Sequence, residues 1–347
     1  MKVLINIPCL KLLGGVANHY LGLKCFWTEN VKYNIVGKRS ERYPGVFWLP
    51  WDILKFVVNI IFFKPDIVLL NPSLGTSALK RDFLFLNIAV LLKVKVAVFI
   101  HGFNLEYSQI VDKKWLCKNL NKASLILVLA SSFREYLKSW GVTSPICLTT
   151  TKVDDALVSE FDIKSRDKIL HNILCVTRIE KEKGVYESLE AFHLLKQNNR
   201  DLTFTLVGDG KELPNVRKYV QDINLDGVTI TGRLDGKELI NEFQNAGFFF
   251  FFTSYGEGMP TCVLEAMAFG LPVFTRNVGG LVDFFDERMG FITDSLKPSD
   301  FANACEAYLN NIDKYSITAT FNYQYAKRNF MASSVAKSLE QILKKVV

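Results

Sequence analysis

The sequence predicts an α/β protein with two doubly wound, Rossmann-like domains that face each other across a cleft. Short apolar runs alternate with helical stretches along the chain, the order typical of βαβ units. The apolar runs are continuous, which is typical of parallel strands covered by helices on both faces. The pattern restarts after a polar stretch at residues 159–171. The 347 residues suffice for two hydrophobic cores.

The predicted elements divide the chain into a first half, residues 1–165, and a second half, residues 166–329. The last stretch, 330–347, is predicted to be a surface helix, and the sequence does not indicate which domain it packs on. Ligands of doubly wound sheets bind at the carboxyl ends of the strands, so functional residues are expected just after each run. The predicted strands are 3–7, 33–36, 66–71, 95–100, 125–129, 146–148, 172–177, 203–207, 228–231, 248–253 and 272–275.

Charge is spread unevenly over a composition that is 49% hydrophobic and 22% charged, which is typical of a globular protein. Residues 1–165 contain 21 lysines and arginines against 12 aspartates and glutamates, whereas residues 166–347 contain 21 against 23. A basic first half favours contact with an anionic ligand or surface. No motif that interleaves basic and aromatic residues for nucleic-acid recognition is visible, so an anionic membrane face explains the charge equally well and no nucleic-acid partner is expected.

Cysteine usage indicates a reduced, cytoplasmic setting. The seven cysteines are odd in number and contain no C-x-x-C pair, which favours neither a disulfide framework nor a metal site. The apolar start at residues 1–8 ends at a proline and lacks a small-residue cleavage site, so no secretory signal is expected.

Two apolar segments, 51–63 and 83–92, are shorter than the ~20 residues of a spanning helix. A buried helix is predicted for the second. The stretch 48–63, which includes the first segment, contains Trp51, Phe56, Phe62 and Phe63. It fits either buried core or contact with the inner face of an anionic membrane.

A pair of glycines, Gly14 and Gly15, follows the first predicted strand and precedes a helical stretch. Glycine lets the backbone approach a ligand, and a helix start offers unpaired N–H groups with a positive dipole end. The pair therefore fits either a diphosphate site or a simple turn. The G-x-G-x-x-G pattern is absent here, which argues against a nicotinamide enzyme.

Two cations follow the first strand of the second half. Arg178 is predicted at the strand's carboxyl end, and Lys183 in the loop before the next helix. Cations so placed can neutralise a pyrophosphate leaving group without a metal. A solvated charged loop is the alternative, because Glu180 and Glu182 lie among them.

The segment 248–280 is the densest in candidate functional residues. A strand leads to a loop in which Gly256 and Gly258 flank Glu257, and a helix then begins at Pro260. Glu265 lies within that helix, seven residues beyond Glu257. An isolated glutamate on a helix is usually an exposed residue, but the glycines and the buried strand favour a ligand site here.

The string GEGMPTCVLEAMAFGLPV resembles the glutamate–seven–glutamate motif of glycosyltransferase family 4, which has the GT-B fold. Arg178, Lys183 and the Gly14-Gly15 pair match the same family in the same order, so the resemblance covers nearly the whole chain. It implies a retaining, metal-independent transfer of a sugar from a nucleotide-diphosphate donor, without a cofactor. The first half would bind the acceptor and the second half the nucleotide sugar.

The resemblance also implies roles for individual residues. Glu257 would bind hydroxyls of the donor sugar, and Glu265 the ribose. Arg178 and Lys183 would hold the diphosphate, and His101 would face the donor sugar, although its place after a strand equally fits a local contact. The remaining implied donor-binding positions are Gly14, Gly15, Gly208, Asp209, Gly232, Arg233, Leu234, Gly258, Met259, Pro260, Thr261 and Val263.

One stretch departs from the family pattern. Where the family often has Asn-Gly-Val-Asp, this chain has Thr151-Lys152-Val153-Asp154, so acceptor contacts near the hinge are not transferred. If the basic first half and the stretch 48–63 lie against an anionic membrane, a lipid-linked or growing surface glycan is the expected acceptor.

Other functions remain open at this point. No Asp-x-Asp occurs in the sequence, so a transferase that binds its donor through a divalent cation is not expected. The first-half loops offer no clear carboxylate nucleophile for double displacement. The alternatives are a nucleotide-sugar epimerase of the same fold and a catalytically silent nucleotide-sugar-binding subunit.

Overall fold

The computed structural model describes residues 1–347 except 13, 40–43, 104, 167, 169, 255 and 257, and only the backbone of 76–78, 105 and 106. The chain forms two compact units. The first comprises Met1–Lys152, Gly256–Met259 and Ala332–Val347, and the second Val153–Tyr255 and Pro260–Met331.

The first unit contains a six-stranded parallel sheet in the order β2-β1-β3-β5-β7-β8, with β4 and β6 forming a separate two-stranded pair. All six predicted strands of this half are confirmed. The pair β4-β6 was not predicted, because two-residue strands leave no pattern in the sequence. The elements are β1 (Lys2–Ile7), α1 (Gly15–Leu23), β2 (Asn30–Ile35), α2 (Leu49–Phe63), β3 (Ile67–Leu70), β4 (Ser73–Leu74), α3 (Thr76–Leu91), β5 (Lys95–Ile100), β6 (Gly102–Phe103), α4 (Leu105–Ile110), α5 (Lys113–Leu120), β7 (Leu125–Val128), α6 (Ser131–Ser139) and β8 (Ile146–Leu148).

The second unit contains another six-stranded parallel sheet, in the order β11-β10-β9-β12-β13-β14. Its five predicted strands are confirmed, and β14 was not predicted. The elements are β9 (Asn172–Val176), α7 (Val185–Asn198), β10 (Thr203–Val207), α8 (Leu213–Asp222), β11 (Val228–Gly232), α9 (Gly236–Asn245), β12 (Phe248–Phe251), α10 (Thr261–Ala268), β13 (Val273–Arg276), β14 (Gly290–Thr293), α11 (Pro298–Leu309) and α12 (Ile312–Asn329).

Both faces of the first sheet are buried, which explains its continuous apolar runs. Leu4, Val68 and Val98 point into one cluster with α2 and α3, and Ile5 and Leu69 point into another on the opposite face. The inner strands β3, β5 and β7 are therefore apolar on both faces, as parallel strands between helices require, whereas the edge strands β2 and β8 are partly exposed. The predicted helix at 83–92 forms the latter part of α3, but it is buried on one side only: Phe85, Leu86 and Ala89 are buried, whereas Leu84, Val90 and Leu91 are exposed.

The last helix, α13 (Ala332–Lys344), packs on the first unit and covers one face of its sheet. The buried carboxylate of Glu340 accepts hydrogen bonds from the backbone N–H groups of Thr28 (2.7 Å) and Glu29 (2.9 Å) and from the Thr28 hydroxyl (2.5 Å). The packing partner that the sequence leaves unassigned is thus the first unit.

Residues 153–165, which the sequence assigns to the first half, group with the second unit. The backbone N–H of Val153 donates to the carbonyl of Phe330, and Phe161 contacts the ring of Phe269 edge-on. The buried Arg166 donates to the carbonyls of Phe243 and Phe269. These contacts attach the segment 153–165, which has no strand of its own, to the second unit. The sequence gives no sign of this packing, because residues 159–171 are mostly polar.

Candidate functional site

The strand order of the second sheet reverses between β9 and β12. The chain runs outward through β10 and β11 on one side and through β13 and β14 on the other. Outside the carboxyl ends of β9 and β12, the loops therefore diverge and leave room for a ligand. The segments that follow these two strands carry most of the predicted site residues.

The loop after β9 presents two cations at this reversal point. Arg178 is 65% exposed and lies 3.5 Å from a carboxylate oxygen of Glu180. Lys183 is buried and ends a short 3-10 turn, Lys181–Lys183. Two cations of different exposure thus lie within one short loop, one held in the protein and one facing solvent.

The 3-10 turn is attached to the end of β12. The carbonyl of Glu182 accepts from the backbone N–H of Ser254 at 2.8 Å and from the Thr253 hydroxyl at 3.1 Å. Gly184 has a φ of +71°, and a Cβ there would come within 2.3 Å of the Phe252 carbonyl oxygen. The loop keeps its position because only glycine permits this approach.

The segments at the ends of β10 and β11 lie next to the loop that follows β9. Ile179 N–H donates to the Asp209 carbonyl at 3.0 Å, and Gly208 N–H donates to the Gly232 carbonyl at 2.8 Å. Gly208 has a φ of +150°, and a Cβ there would lie 1.8 Å from the Thr177 carbonyl oxygen. The structure therefore brings the predicted residues Gly208, Asp209 and Gly232 beside the loop of Arg178.

Two further predicted residues, Arg233 and Leu234, directly follow β11. Arg233 is exposed and Leu234 is half-buried. They follow Gly232, whose carbonyl accepts from the Gly208 N–H, so their backbone lies next to the loop after β10.

Helix α10 begins after β12, with Pro260 at its N-cap. Val263 is fully buried, whereas Thr261 and Glu265 are half-buried. The first turn of a helix presents backbone N–H groups and a positive dipole end, which suit a phosphate. Glu257, predicted to bind the donor sugar, lies outside the described residues.

In the first unit, Gly14 is the N-cap of α1 and Gly15 its first residue. Gly14 has extended backbone, with a φ of 170°. A Cβ built on either glycine would meet no described atom within 4 Å. The described protein therefore does not require glycine here for packing, and the space in front of the backbone is open to a ligand.

Gly258 and Met259 group with the first unit. A Cβ at Gly258 would lie 3.1 Å from a Leu129 methyl group and 3.3 Å from the His101 carbonyl oxygen. Met259 packs against the apolar cluster that α13 covers. Gly258 thus lies beside the predicted site residue His101.

His101 follows β5 and is held in place by a polar network. Its Nε2 lies 3.0 Å from Oδ1 of Asn71, which also accepts from the Tyr20 hydroxyl at 2.6 Å. The Asn71 amide nitrogen donates to the Asn6 carbonyl at 2.8 Å, which fixes Oδ1 as the atom facing the histidine. Nε2 therefore carries the proton.

The ring of His101 stacks on Phe99 with centroids 3.7 Å apart. Burial lowers the pKa of His101 well below its usual value, and the neighbouring His19 lowers it further. The imidazole is therefore neutral near pH 7, with one donor and one acceptor nitrogen, and is not a cation.

Sequence reasoning missed Asn71 and Tyr20, although Asn71 closes a predicted strand. A polar residue at the carboxyl end of a buried strand is a usable signal. Tyr20 gave none, because it lies 51 residues from Asn71 along the chain and its hydroxyl is on a buried helical face.

The two doubly wound parallel units have the fold of the GT-B glycosyltransferases. The chain superposes on HepE of Anabaena, solved in complex with UDP, with a TM-score of 0.76 over 99% of this chain and 100% of that one. The two sequences are 14% identical, so this likeness concerns the fold.

Residues 160–324 match the family model for glycosyl transferases group 1. The chain is 26% identical over 235 residues to the amylovoran biosynthesis glycosyltransferase AmsK of Erwinia amylovora, covering 64% of this chain and 56% of that protein. It is 32% identical over 147 residues to a D-inositol 3-phosphate glycosyltransferase of Paenarthrobacter aurescens, covering 41% and 36%. The chain thus spans between about a third and just over half of these relatives' lengths.

Proposed function

We propose that this protein is a retaining, metal-independent glycosyltransferase of family 4 that transfers a sugar from a nucleotide-diphosphate donor to an acceptor. The observation that carries the proposal is the pair Arg178 and Lys183, fixed where the second sheet reverses its strand order. The loops of Gly184 and Gly208, in which the backbone requires glycine, and the start of α10 also follow strands of this sheet at its carboxyl edge. The match of residues 160–324 to group 1 glycosyl transferases supports it.

In the proposed reaction, charge grows on the nucleotide diphosphate as the bond to the sugar breaks. Arg178 and Lys183 stabilise that charge, and the first turn of α10 adds oriented N–H groups. Fixed positive groups acting in this way take the part that a divalent cation plays in other transferases. Undiminished activity in excess chelator is therefore expected.

The remaining residues position the donor. Glu265 on α10 binds the ribose, and Glu257 binds sugar hydroxyls, an assignment that rests on the sequence motif. His101, whose Nε2–H faces Asn71, accepts from a sugar hydroxyl through its unprotonated Nδ1. For retention, the leaving phosphate helps to deprotonate the acceptor on the same face of the sugar, because the first-half loops offer no clear carboxylate nucleophile.

The acceptor that we propose is a lipid-linked or growing surface glycan, reached from the cytoplasm at the inner face of a membrane. The name of AmsK, an amylovoran biosynthesis enzyme, supports a polysaccharide product. The basic first half supports an acceptor that carries or adjoins negative charge.

The test is a transfer assay with a panel of UDP-, GDP- and ADP-sugars, comparing Lys183→Ala with Lys181→Ala. The two lysines lie in the same 3-10 turn, but Lys181 is exposed and Lys183 is buried. Loss of one charge-stabilising contact should lower kcat about a hundredfold, equivalent to about 3 kcal/mol. The Lys181 variant should retain most activity.

Folding of both variants is checked by circular dichroism and thermal unfolding. Near-normal turnover by a folded Lys183→Ala protein would refute the assignment of the diphosphate site. Release of an isomerised nucleotide sugar without acceptor would instead identify an epimerase, and nucleotide-sugar binding without any product would identify a silent subunit.

A further inference from the structure

Helix α2 and the short 3-10 turn before it, Gly45–Trp48, expose an apolar stripe that the described protein leaves uncovered. Among the described residues, Gly45–Phe63 is the helical segment long and apolar enough to cross a membrane by length and composition, yet only 17% of it is buried. The side chains of Phe47 (71%), Trp51 (52%), Leu54 (53%), Val58 (42%), Ile61 (53%) and Phe62 (79%) are exposed.

The stripe follows helical spacing, so these side chains lie along one side of the segment. The opposite side is buried through Asp52, Phe56 and Ile60. Large exposed apolar patches of this kind mark interaction surfaces on soluble proteins. The buried-core alternative for this stretch therefore holds for one side of the helix only.

The attachment of α2 to the first unit argues against a membrane-spanning role. Phe56 and Ile60 belong to the core of the first sheet. Asp52 accepts from the Gly37 N–H at 2.7 Å and from Arg39 at 2.5 Å. A helix fixed along one side in this way can contact lipid only with its other side, and so lies flat at a membrane interface.

A cavity of about 460 Å³ lies at the N-terminal end of this stripe. Three cations line it, Lys38, Lys80 and Arg81, together with the apolar Val46 and Leu84. Asp52 also lines the cavity, with its carboxylate already paired to Arg39. Arg81 pairs with the buried carboxylate of Asp82 at 2.8 Å, while its Nε is buried without a hydrogen-bond partner in the described part of the chain.

We propose that this cavity binds the phosphate of an anionic lipid headgroup while the α2 stripe lies in the interface of the same membrane. The cationic side chains donate hydrogen bonds to the phosphate, and the apolar stripe contacts the adjoining acyl region. Lys55 is the one charged residue on the exposed side of Gly45–Phe63, so no acidic group there would repel an anionic surface. The excess of positive charge in residues 1–165 acts in the same direction.

The apolar stripe, the cavity lined by cations and the basic charge of residues 1–165 together favour a membrane as the partner of this surface, over another protein or a second copy of this chain. Exposed aromatic rings, a cavity lined by cations and a basic domain are complementary to a bilayer surface of anionic lipid. The proposal does not depend on the transfer reaction, since none of these residues belongs to the proposed donor site.

The first experiment is flotation of the purified protein with vesicles of phosphatidylcholine and phosphatidylglycerol, compared with phosphatidylcholine alone. The variant Phe47→Ser/Phe62→Ser should lower vesicle affinity at least tenfold, by removing two rings from the interface. Ile317→Ser is the matched control, because Ile317 is 69% exposed on α12 of the second unit. Unchanged flotation of the double variant would overturn the membrane contact.

The second experiment tests the cavity. Lys80→Gln should lower the affinity for phosphatidylglycerol vesicles about fivefold, and Lys218→Gln, an exposed lysine on α8, should not. Soluble short-chain phosphatidylglycerol should bind the wild type and lose affinity in Lys80→Gln. Equal effects of the two lysine variants would show a diffuse charge effect and overturn the cavity as the headgroup site.

Two further measurements separate this proposal from its alternatives. Binding of UDP should be equal in the wild type and in all four variants, so failure of the donor assignment would not affect the flotation result. Sedimentation of the protein without vesicles reports self-association. A dimer abolished by Phe47→Ser/Phe62→Ser, together with no vesicle binding, would assign the stripe to a second copy and overturn the proposal.

Discussion

His19 is a buried imidazole with aromatic rings beside it. Its centroid lies 5.0 Å from that of Tyr20 and 5.1 Å from that of His101. Both ring nitrogens are buried without a hydrogen-bond partner among the described residues. Burial, with a smaller contribution from Lys152, lowers the pKa of His19 to about 3. The folded protein therefore keeps this ring neutral at pH values where the unfolded chain protonates it.

Acidification should for this reason destabilise the protein through His19. In the unfolded chain a histidine takes up its proton near pH 6.5, so stability is lost between about pH 6.5 and pH 3. From pH 7 to pH 5 the loss from this residue is about 2 kcal/mol. In His19→Phe the fall in unfolding free energy over that interval should be smaller by this amount, measured by urea titration at both pH values. Equal falls in the two proteins would contradict the assignment.

Some of the candidate site residues could be predicted from the sequence, and others could not. Arg178 and Lys183 were predictable because they follow a strongly apolar strand, and strand ends carry function in this fold. The network of His101 with Asn71 and Tyr20 was not, because contacts between distant segments are set by packing and leave no local period. The place of Lys183 as a buried cation was equally hidden, since its loop is rich in charges.

At the scale of elements, the glycines divide into those that the fold requires and those that it does not. Gly208 is required, because a Cβ would lie 1.8 Å from the Thr177 carbonyl oxygen and its φ of +150° disfavours other residues. Gly14 has extended backbone and no described neighbour within 4 Å of a Cβ. The sequence shows both as loop glycines, and only the structure separates their roles.

Gly208→Ala should therefore destabilise the protein by about 3 kcal/mol or more, through strained backbone and a clash with fixed backbone atoms. Gly14→Ala should leave stability almost unchanged. If the Gly14 backbone approaches a diphosphate, the same variant should lower UDP affinity. Denaturant unfolding and calorimetric titration with UDP measure the two effects. A stable Gly208→Ala protein would contradict the close approach of the β9 and β10 loops.

The inner strands, such as β3, β7 and β12, were predictable because burial on both faces makes them apolar throughout. Strand β14 was missed because Phe291 and Ile292 are only half-buried and the strand is four residues long. The start of helix α10 was predicted to within one residue, since Pro260 marks it.

At the scale of the whole molecule, the chain leaves the first unit after Lys152, contributes Gly256–Met259 to it, and returns to it finally at Ala332. Helix α13 then packs on one face of the first sheet. Its amphipathic sequence predicts a helix with one buried side but would suit the face of either sheet, so the sequence could not assign its partner. The Glu340 hydrogen bonds to Thr28 and Glu29 supply the specificity.

Stability of the first unit should consequently depend on the C-terminal helix. Leu339 is 1% exposed and packs in the cluster formed with β1, β3 and β5, so Leu339→Ala should cost about 2–5 kcal/mol. Lys337→Ala, an exposed position on the same helix, is the control. Hydrogen exchange should rise in β1 and β3 and change little in β10 and β12. A rise confined to the second sheet would show that α13 stabilises a different part of the protein, because exchange reports where structure opens.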